Sequence, residues 1–365
     1  MTDELGAPTT TASVEPAGAP QAAGAPPGPA DDVTGRTPAA GSARNRAVRE
    51  RLTSITGIGP LLIALLLICA YLSLATDTFL TTSNLTNIIV QTSVVGIAAV
   101  GATLVIITSG IDLSVGSNVA LSSMVAAYAM KNDLVPGGLG GVLVALLVGV
   151  LVGSFNGLSA TWLRLTPFIA TLATLAMGRG LTQQVSQGQT IFGFPRSFTF
   201  LGNGTIAGVQ APVVVTVLVF VVGHLLLTRT SFGHQVYALG GNREAARLAG
   251  IPVRRVEFAV YALAGLCAGL AAVVLTGRLD SALASGATGL ELQVIAAVVI
   301  GGTSLFGGRG SLAGTFLGVV LIGVIVNGLT LLNVNPFWQQ FVQGAVIFVA
   351  VLLDALNTRR LQKVR

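Results

Sequence analysis

The sequence predicts an all-α integral membrane protein, with about ten transmembrane helices arranged as a 5+5 inverted repeat behind a disordered N-terminal tail. Three observations lead there. Of 365 residues only 9% are charged and 52% are apolar, too little charge to cover the surface of a soluble domain of this length. Apolar stretches near the roughly 20 residues needed to cross a bilayer recur from Ile58 almost to the C-terminus. Finally, Asn156-Gly157-Leu158 followed by Pro167-Phe168 returns as Asn327-Gly328-Leu329 followed by Pro336-Phe337, each copy at the end of one stretch and the start of the next. Copies displaced by five spans face opposite ways, and in that plan a solute path runs along the repeat interface.

Residues 1–43 are rich in Ala, Pro, Gly and Thr with few large apolar side chains, which offers too little burial to offset the entropy of ordering. They are expected to form a disordered cytoplasmic tail, with the membrane domain occupying residues 44–365. A basic run, Arg44, Arg46, Arg49 and Arg51, precedes the first apolar stretch. That stretch suits a retained first span more than a cleaved signal, because the leader ahead of it is long. Candidate spans lie near 58–75, 87–108, 114–130, 138–162, 168–186, 212–228, 256–276, 290–306, 311–332 and 337–356. With the N-terminus inside, the cytoplasmic segments carry the basic run together with Arg164, Arg229, Arg243, Arg247, Arg254, Arg255, Arg309, Arg359, Arg360, Lys363 and Arg365. The outer loops then hold only Lys131, Arg196 and Arg278. Positive residues gather inside in membrane proteins, so both termini are expected in the cytoplasm. The net charge of +6 thus reads as a topology signal and not as nucleic-acid binding.

Two polar, glycine-containing interruptions carry candidate chemistry. The first, Thr108 to Asn118, includes Ser109, Asp112, Ser117 and Asn118; the second, Gly301 to Ser311, includes Thr303 and Ser304. Backbone freed by such a break is tolerated only where protein buries it or where it lines a cavity. Asp112 reads both as a cap of the third span, with Ser114 as a second cap candidate, and as an ionisable group beside a solute path. With Asn156, these polar residues form the expected substrate path, and the two breaks, around Asp112 and around Thr303, are expected to meet near the membrane interior across the pseudo-symmetry and line that path. Gly149, Gly153 and Gly157, like Gly265 and Gly269, recur at every fourth position and are assigned to helix packing.

The longest cytoplasmic loop, Arg229 to Arg255, holds a punctuated short helix. Asn242 is a good N-cap, Glu244 lies in the first turn, Gly250 is a natural stop and Pro252 prevents continuation. A short amphipathic element outside the bilayer is what a docking partner needs. The expected contact residues are Gly241, Asn242, Glu244, Ala245, Ala246, Gly250 and Ile251. On the outer face Lys131, Arg196 and Arg278 are candidate docking cations for an acidic partner surface.

Several functions lack their residues. The only histidines are His224 and His234, and Cys69 and Cys267 both lie inside apolar runs, so no spacing suits a metal centre. The only lysines, Lys131 and Lys363, are followed by Asn132 and Val364, so no P-loop is present to bind ATP. No cofactor is expected on this chain, and no catalytic residue is assigned.

The stretches Gly110-Ile111-Asp112-Leu113-Ser114-Val115-Gly116-Ser117, Gly240-Gly241-Asn242 with Ala245-Ala246 and Gly250-Ile251, and Ile295 to Ser304 occur in that order. Between about Asn84 and Asp354 the chain resembles the permease subunits of ribose-type bacterial ABC importers. The resemblance implies a homodimeric permease in the bacterial inner membrane. It also implies a separate cytoplasmic ATPase, carrying ATP and Mg, seated on the Gly240 to Ile251 loop, and an extracytoplasmic binding protein that delivers a monosaccharide. One departure is Gln293, where the family often has an acid after Glu291-Leu292. The competing reading is an ion-coupled secondary transporter of a small polar solute, for which Asp112, Arg179 and Glu291 are the coupling candidates.

Overall fold

The structure, a computed structural model, describes residues 59–362. The predicted tail over residues 1–43, the basic run Arg44 to Arg51, and Lys363 and Arg365 lie outside the described residues. Helices follow one another as α1 (Gly59–Ala75), α2 (Thr82–Ile107), α3 (Val115–Lys131), α4 (Gly137–Thr161) and α5 (Pro167–Ser186). After a short α6 (Arg196–Asn203) come α7 (Ala211–Arg229), α8 (Ser231–Gly241), α9 (Arg243–Leu248) and α10 (Val253–Leu279). The chain continues through α11 (Leu290–Ile300) and α12 (Leu312–Leu331) to α13 (Pro336–Gln362). Two-residue strands β1 (Ile191–Phe192) and β4 (Ser281–Ala282) pair antiparallel with Ile191 opposite Ala282, and β2 (Thr205–Ile206) pairs with β3 (Val209–Gln210).

Each apolar stretch marked in the sequence holds a helix. Five helices, α2, α4, α7, α10 and α12, are long and apolar enough to cross a membrane, and α1, α11 and the Pro336–Leu352 part of α13 are shorter apolar helices. The expected span over 290–306 is cut short, because α11 stops at Ile300 and Gly302 turns the chain with a φ of 88°. The loop from Arg229 to Arg255 holds two helices and not one: α8 precedes the predicted α9, its N-terminus capped by the Thr230 hydroxyl, which accepts from the Gly233 amide at 3.2 Å.

The core is organised around α2, which buries 83% of its most apolar stretch and packs against α7, α10, α11 and α12. A helix this apolar all round belongs inside a bundle. Its neighbour α10 runs along α4 in the most extensive helix contact of the fold. The sequence spacing explains that contact: a Cβ at Gly153 would meet the Tyr261 carbonyl and the Gly265 backbone, and one at Gly149 would meet the Gly265 carbonyl and Gly269. Small residues at this spacing let two helix backbones touch, and a side chain there would force backbone apart from backbone. The assignment of these glycines to packing is therefore what the structure contains.

Candidate functional site

The first polar break begins where α2 ends. Ser109 adopts a left-handed φ of 63° and so reverses the chain. Asp112 then accepts from the Ser114 amide at 2.8 Å and the Ser114 hydroxyl at 2.6 Å, while Asn156 on α4 donates to the Ser114 hydroxyl at 2.7 Å. Capping of α3 by Asp112 takes a different form from the expected one. The carboxylate holds the residue before the helix, and Ser114 has no side-chain cap bond to the first turn. Asp112, Ser114 and Asn156 are all buried, and the result is a closed polar knot between α4 and the α2–α3 turn.

The expected path residues divide among several environments. Ser117 is buried and donates to the Ser114 carbonyl at 2.9 Å. Asn118 donates to the Gly149 carbonyl at 3.1 Å and accepts from Ser122 at 3.1 Å, so its amide holds α3 on α4. Thr303 and Ser304 are buried too; the Ser304 hydroxyl and the Leu305 amide both reach Asp354 of α13 at 3.2 Å. Of the set only Ser109 is exposed.

The two breaks meet, but at the end of α8 and not around Asp112 and Thr303. Ser109 donates to the Phe306 carbonyl at 2.9 Å and the Gly308 amide donates to the Ile107 carbonyl at 2.9 Å. The C-terminal end of α8 completes the junction, where a Cβ on Gly240 would collide with the Ile107 carbonyl and the Gly308 amide. Both breaks therefore touch the end of α8 directly, with only Asn242 between that helix and α9. Glycine at position 240 is required by this approach of three backbones.

A second cluster lies where α3, α5 and α11 converge. Arg179 of α5 donates to the carbonyls of Gly286 at 2.5 Å and Ala287 at 2.9 Å, just before α11. One carboxylate oxygen of Glu291 packs against Gly116, in space that only a glycine leaves open. That oxygen is buried with no hydrogen-bond partner. Buried polar atoms are nearly always paired, and an unpaired one marks a place where function or an absent ligand sets the geometry.

The short helix α9 forms as its punctuation predicts. The Asn242 side chain accepts from the Ala245 amide at 3.0 Å. At the other end Gly250 has a φ of 81°, the Gly250 amide donates to the Arg247 carbonyl at 3.1 Å, and the Ile251 amide donates to the Ala246 carbonyl at 3.1 Å. These are the bonds of a glycine-terminated helix end. Glu244 and Arg247 pair across one turn at 2.5 Å on the exposed side. That bond holds the Glu244 carboxyl below its ordinary range and the Arg247 guanidinium above its own. Ala245 is open, whereas Ala246 turns inward with 4% exposure. The large exposed apolar side chain of α9 is Leu248, at 77%.

Sequence reasoning missed what anchors α9. Arg243 forms two parallel bonds to Glu257 of α10, 3.1 Å and 2.6 Å, with the guanidinium side chain 55% exposed and the carboxylate side chain 4% exposed. The hydrogen bond to Glu257 raises the Arg243 pKa above its ordinary value. Fork-to-fork pairs of this kind fix orientation as well as distance. The pair ties α9 to α10, the long helix that lies on both α2 and α4.

On the opposite face, Lys131 ends α3, Arg196 begins α6 and Arg278 lies near the end of α10. Lys131 and Arg196 are exposed, while Arg278 is half-buried. Since α6 packs on α10, Arg196 and Arg278 belong to one surface.

Residues 84–351 match the family described as branched-chain amino acid transport system / permease component. The chain is 43% identical over 303 residues to the ribose import permease RbsC of Bacillus subtilis, covering 81% of this chain and 92% of that protein. It is 39% identical over 301 residues to the D-allose transport system permease AlsC of Escherichia coli, covering 82% and 92%. With the L-arabinose ABC transporter permease AraH of Azospirillum brasilense it shares 38% identity over 327 residues, covering 88% and 94%. No solved structure matches the chain. The family match spans most of the sequence and takes in both polar breaks, the Arg243–Glu257 anchor and α9, and the chain belongs to this family of ABC-transporter membrane permeases.

Proposed function

We propose that this chain is the membrane-embedded permease of an ATP-driven importer that moves a monosaccharide, delivered by an extracytoplasmic binding protein, across the bacterial inner membrane. The observation that carries the reading is identity of 38% to 43% along more than 80% of the chain with permeases named for ribose, allose and arabinose. Ten spans cross as a 5+5 inverted repeat, with both termini in the cytoplasm. Support comes from paired packing: α3 lies on α4 and α5 as α11 lies on α12 and α13, and α4 lies along α10 as α12 lies along α2. Asn156 and Asn327, equivalent in the repeat, each make a buried amide bond. The partner of Asn156 is Ser114, and the partner of Asn327 is Asn84, to which it donates at 2.8 Å.

Two copies of the chain form the path in this reading, and the ATPase, with its ATP and Mg, is a separate subunit seated on α9. Closure of the ATPase pushes α9; the Arg243–Glu257 pair carries the push into α10, and the α8 junction carries it into the two breaks. Sugar hydroxyls exchange hydrogen bonds with polar groups at the breaks and at the Arg179–Glu291 cluster. Lys131, Arg196 and Arg278 face the binding protein. The test is copurification in mild detergent from cells expressing an ATPase and a binding protein of the ribose type. The expected product contains two permease copies and a bound ATPase, with the binding protein joining when sugar is present. Recovery of the chain alone, together with solute uptake by vesicles lacking any ATPase, would favour the ion-coupled alternative.

A further inference from the structure

Beside α9, at the ends of α4, α5 and α10, lies a hollow of about 490 Å³ whose wall includes Arg164, Thr166, Arg243, Arg247, Arg254 and Glu257. Four guanidinium groups thus face one carboxylate. Arg243 is paired with Glu257, and Arg247 with Glu244, which is not part of the wall. Arg164 and Arg254 are exposed and have no hydrogen-bonding or ionic partner among the described residues. The hollow therefore holds, among the described residues, two positive charges without a partner, on two different segments that line one space.

Its setting is amphipathic. Arg164 occupies a left-handed turn, φ 56°, closed by the Leu165 amide donating to the Ser159 carbonyl at 3.0 Å. On either side of it Trp162, Leu163 and Leu165 are exposed, and the Trp162 ring stands edge-on to Phe258 of α10 at 5.4 Å. Tryptophan beside arginine at the end of a span is the pattern of a membrane interface. A basic pocket between helices on the cytoplasmic side is suited to an anionic headgroup, with acyl chains running down the neighbouring apolar surface.

We propose that this hollow seats the headgroup phosphate of an anionic phospholipid of the cytoplasmic leaflet, with Arg164 and Arg254 as its direct ligands. The assignment rests on the cytoplasmic placement of α9 given above, and it adds a lipid partner to the subunits named there. Exposed apolar side chains favour a lipid over a soluble anion, because only a lipid uses Leu163 and Leu165 together with the arginines. The bound lipid would lie against Arg243 and Arg247, and so against the element that receives the ATPase.

The test uses the full chain in a non-ionic detergent, with dioleoylphosphatidylglycerol, dioleoylphosphatidylcholine and glycerol phosphate titrated separately and binding read by native mass spectrometry. Phosphatidylglycerol is expected to bind saturably and phosphatidylcholine weakly, with no binding of glycerol phosphate at the same concentration. Loss of about one interfacial arginine interaction per site should make R164Q/R254Q roughly thirtyfold weaker for phosphatidylglycerol. R229Q removes an exposed cytoplasmic arginine outside the hollow and should leave affinity within about twofold, consistent with a local site and not general charge attraction. Unchanged phosphatidylglycerol binding in R164Q/R254Q overturns the proposal. Equal binding of glycerol phosphate overturns the lipid assignment, and loss of ATPase copurification with lipid binding intact assigns the hollow to the protein partner. Because lipid binding is read on the isolated chain, the result is independent of whether the chain transports sugar. Labelling of R164C only by reagent supplied from outside intact cells would overturn the cytoplasmic premise and the proposal with it.

Discussion

Removing either member of the Arg243–Glu257 pair should have unequal effects, because the two side chains differ so much in burial. In R243M the Glu257 carboxylate, 4% exposed, keeps its place on α10 without the fork that satisfied both oxygens. Breaking a buried pair in this way costs about 3 kcal/mol, the low end of the range for buried pairs, because Arg247 and Arg254 line the same hollow as the carboxylate. In E257Q the guanidinium is already 55% exposed and turns into water, so the loss is that of a charge-assisted bond, about 1–2 kcal/mol. Replacing both, as R243M/E257L, removes the stranded charge and should return stability to within about 1 kcal/mol of the parent. Thermal unfolding in detergent measures all three. Uptake and ATP hydrolysis, measured together in reconstituted vesicles, give the functional half: R243M and R243M/E257L should both hydrolyse ATP while importing little sugar, since α9 is no longer tied to α10. Equal destabilisation by R243M and E257Q, or strict additivity in the double variant, would refute the reasoning. So would normal uptake by R243M/E257L.

Three further expectations follow from single positions. G153V places a side chain against the Tyr261 carbonyl and the Gly265 backbone; separating α4 from α10 should cost about 3 kcal/mol, the upper end of overpacking costs, and lower the yield of folded protein in detergent. A245W and A246W should separate, because Ala245 is open and Ala246 is buried. A245W should keep thermal stability and lose ATPase copurification, whereas A246W overpacks the seat of α9 and should lose about 1–3 kcal/mol as well. E291Q removes charge from an unpaired buried oxygen, so thermal stability should hold or rise by about 1–2 kcal/mol while sugar uptake falls at least tenfold. A fall in both would make Glu291 a structural residue.

Local signals carried much of this structure. Apolar runs located the helices, fourth-residue glycines marked packing faces that proved to be the α4–α10 contact, and Asn242 with Gly250 located α9 almost to the residue. Each rests on periodicity or capping within a few positions of the chain. What escaped notice depends on separation in sequence. Glu257 looks like an isolated acid in an apolar helix until α9 folds back across Pro252 and brings Arg243 to it. Asp354 gave no sign that it would hold Ser304 and Leu305, some fifty residues away, and the Asn84–Asn327 pair closes over 243 residues. Asn118 carries the complementary lesson: a buried amide in a membrane helix can serve a solute or a neighbouring backbone, and only the position of the Gly149 carbonyl decides which. Burial decides likewise between Ala245 and Ala246, which the sequence treats alike.

If this chain carries sugar because ATP is hydrolysed beside it, transport must stop when hydrolysis stops. Vesicles containing the chain and a ribose-type ATPase, with ATP inside and a sugar-loaded binding protein outside, should accumulate labelled ribose, allose or arabinose against a gradient, and should stop when ATP is replaced by a non-hydrolysable analogue. Accumulation that persists without ATP and instead follows an imposed proton or sodium gradient would contradict the account.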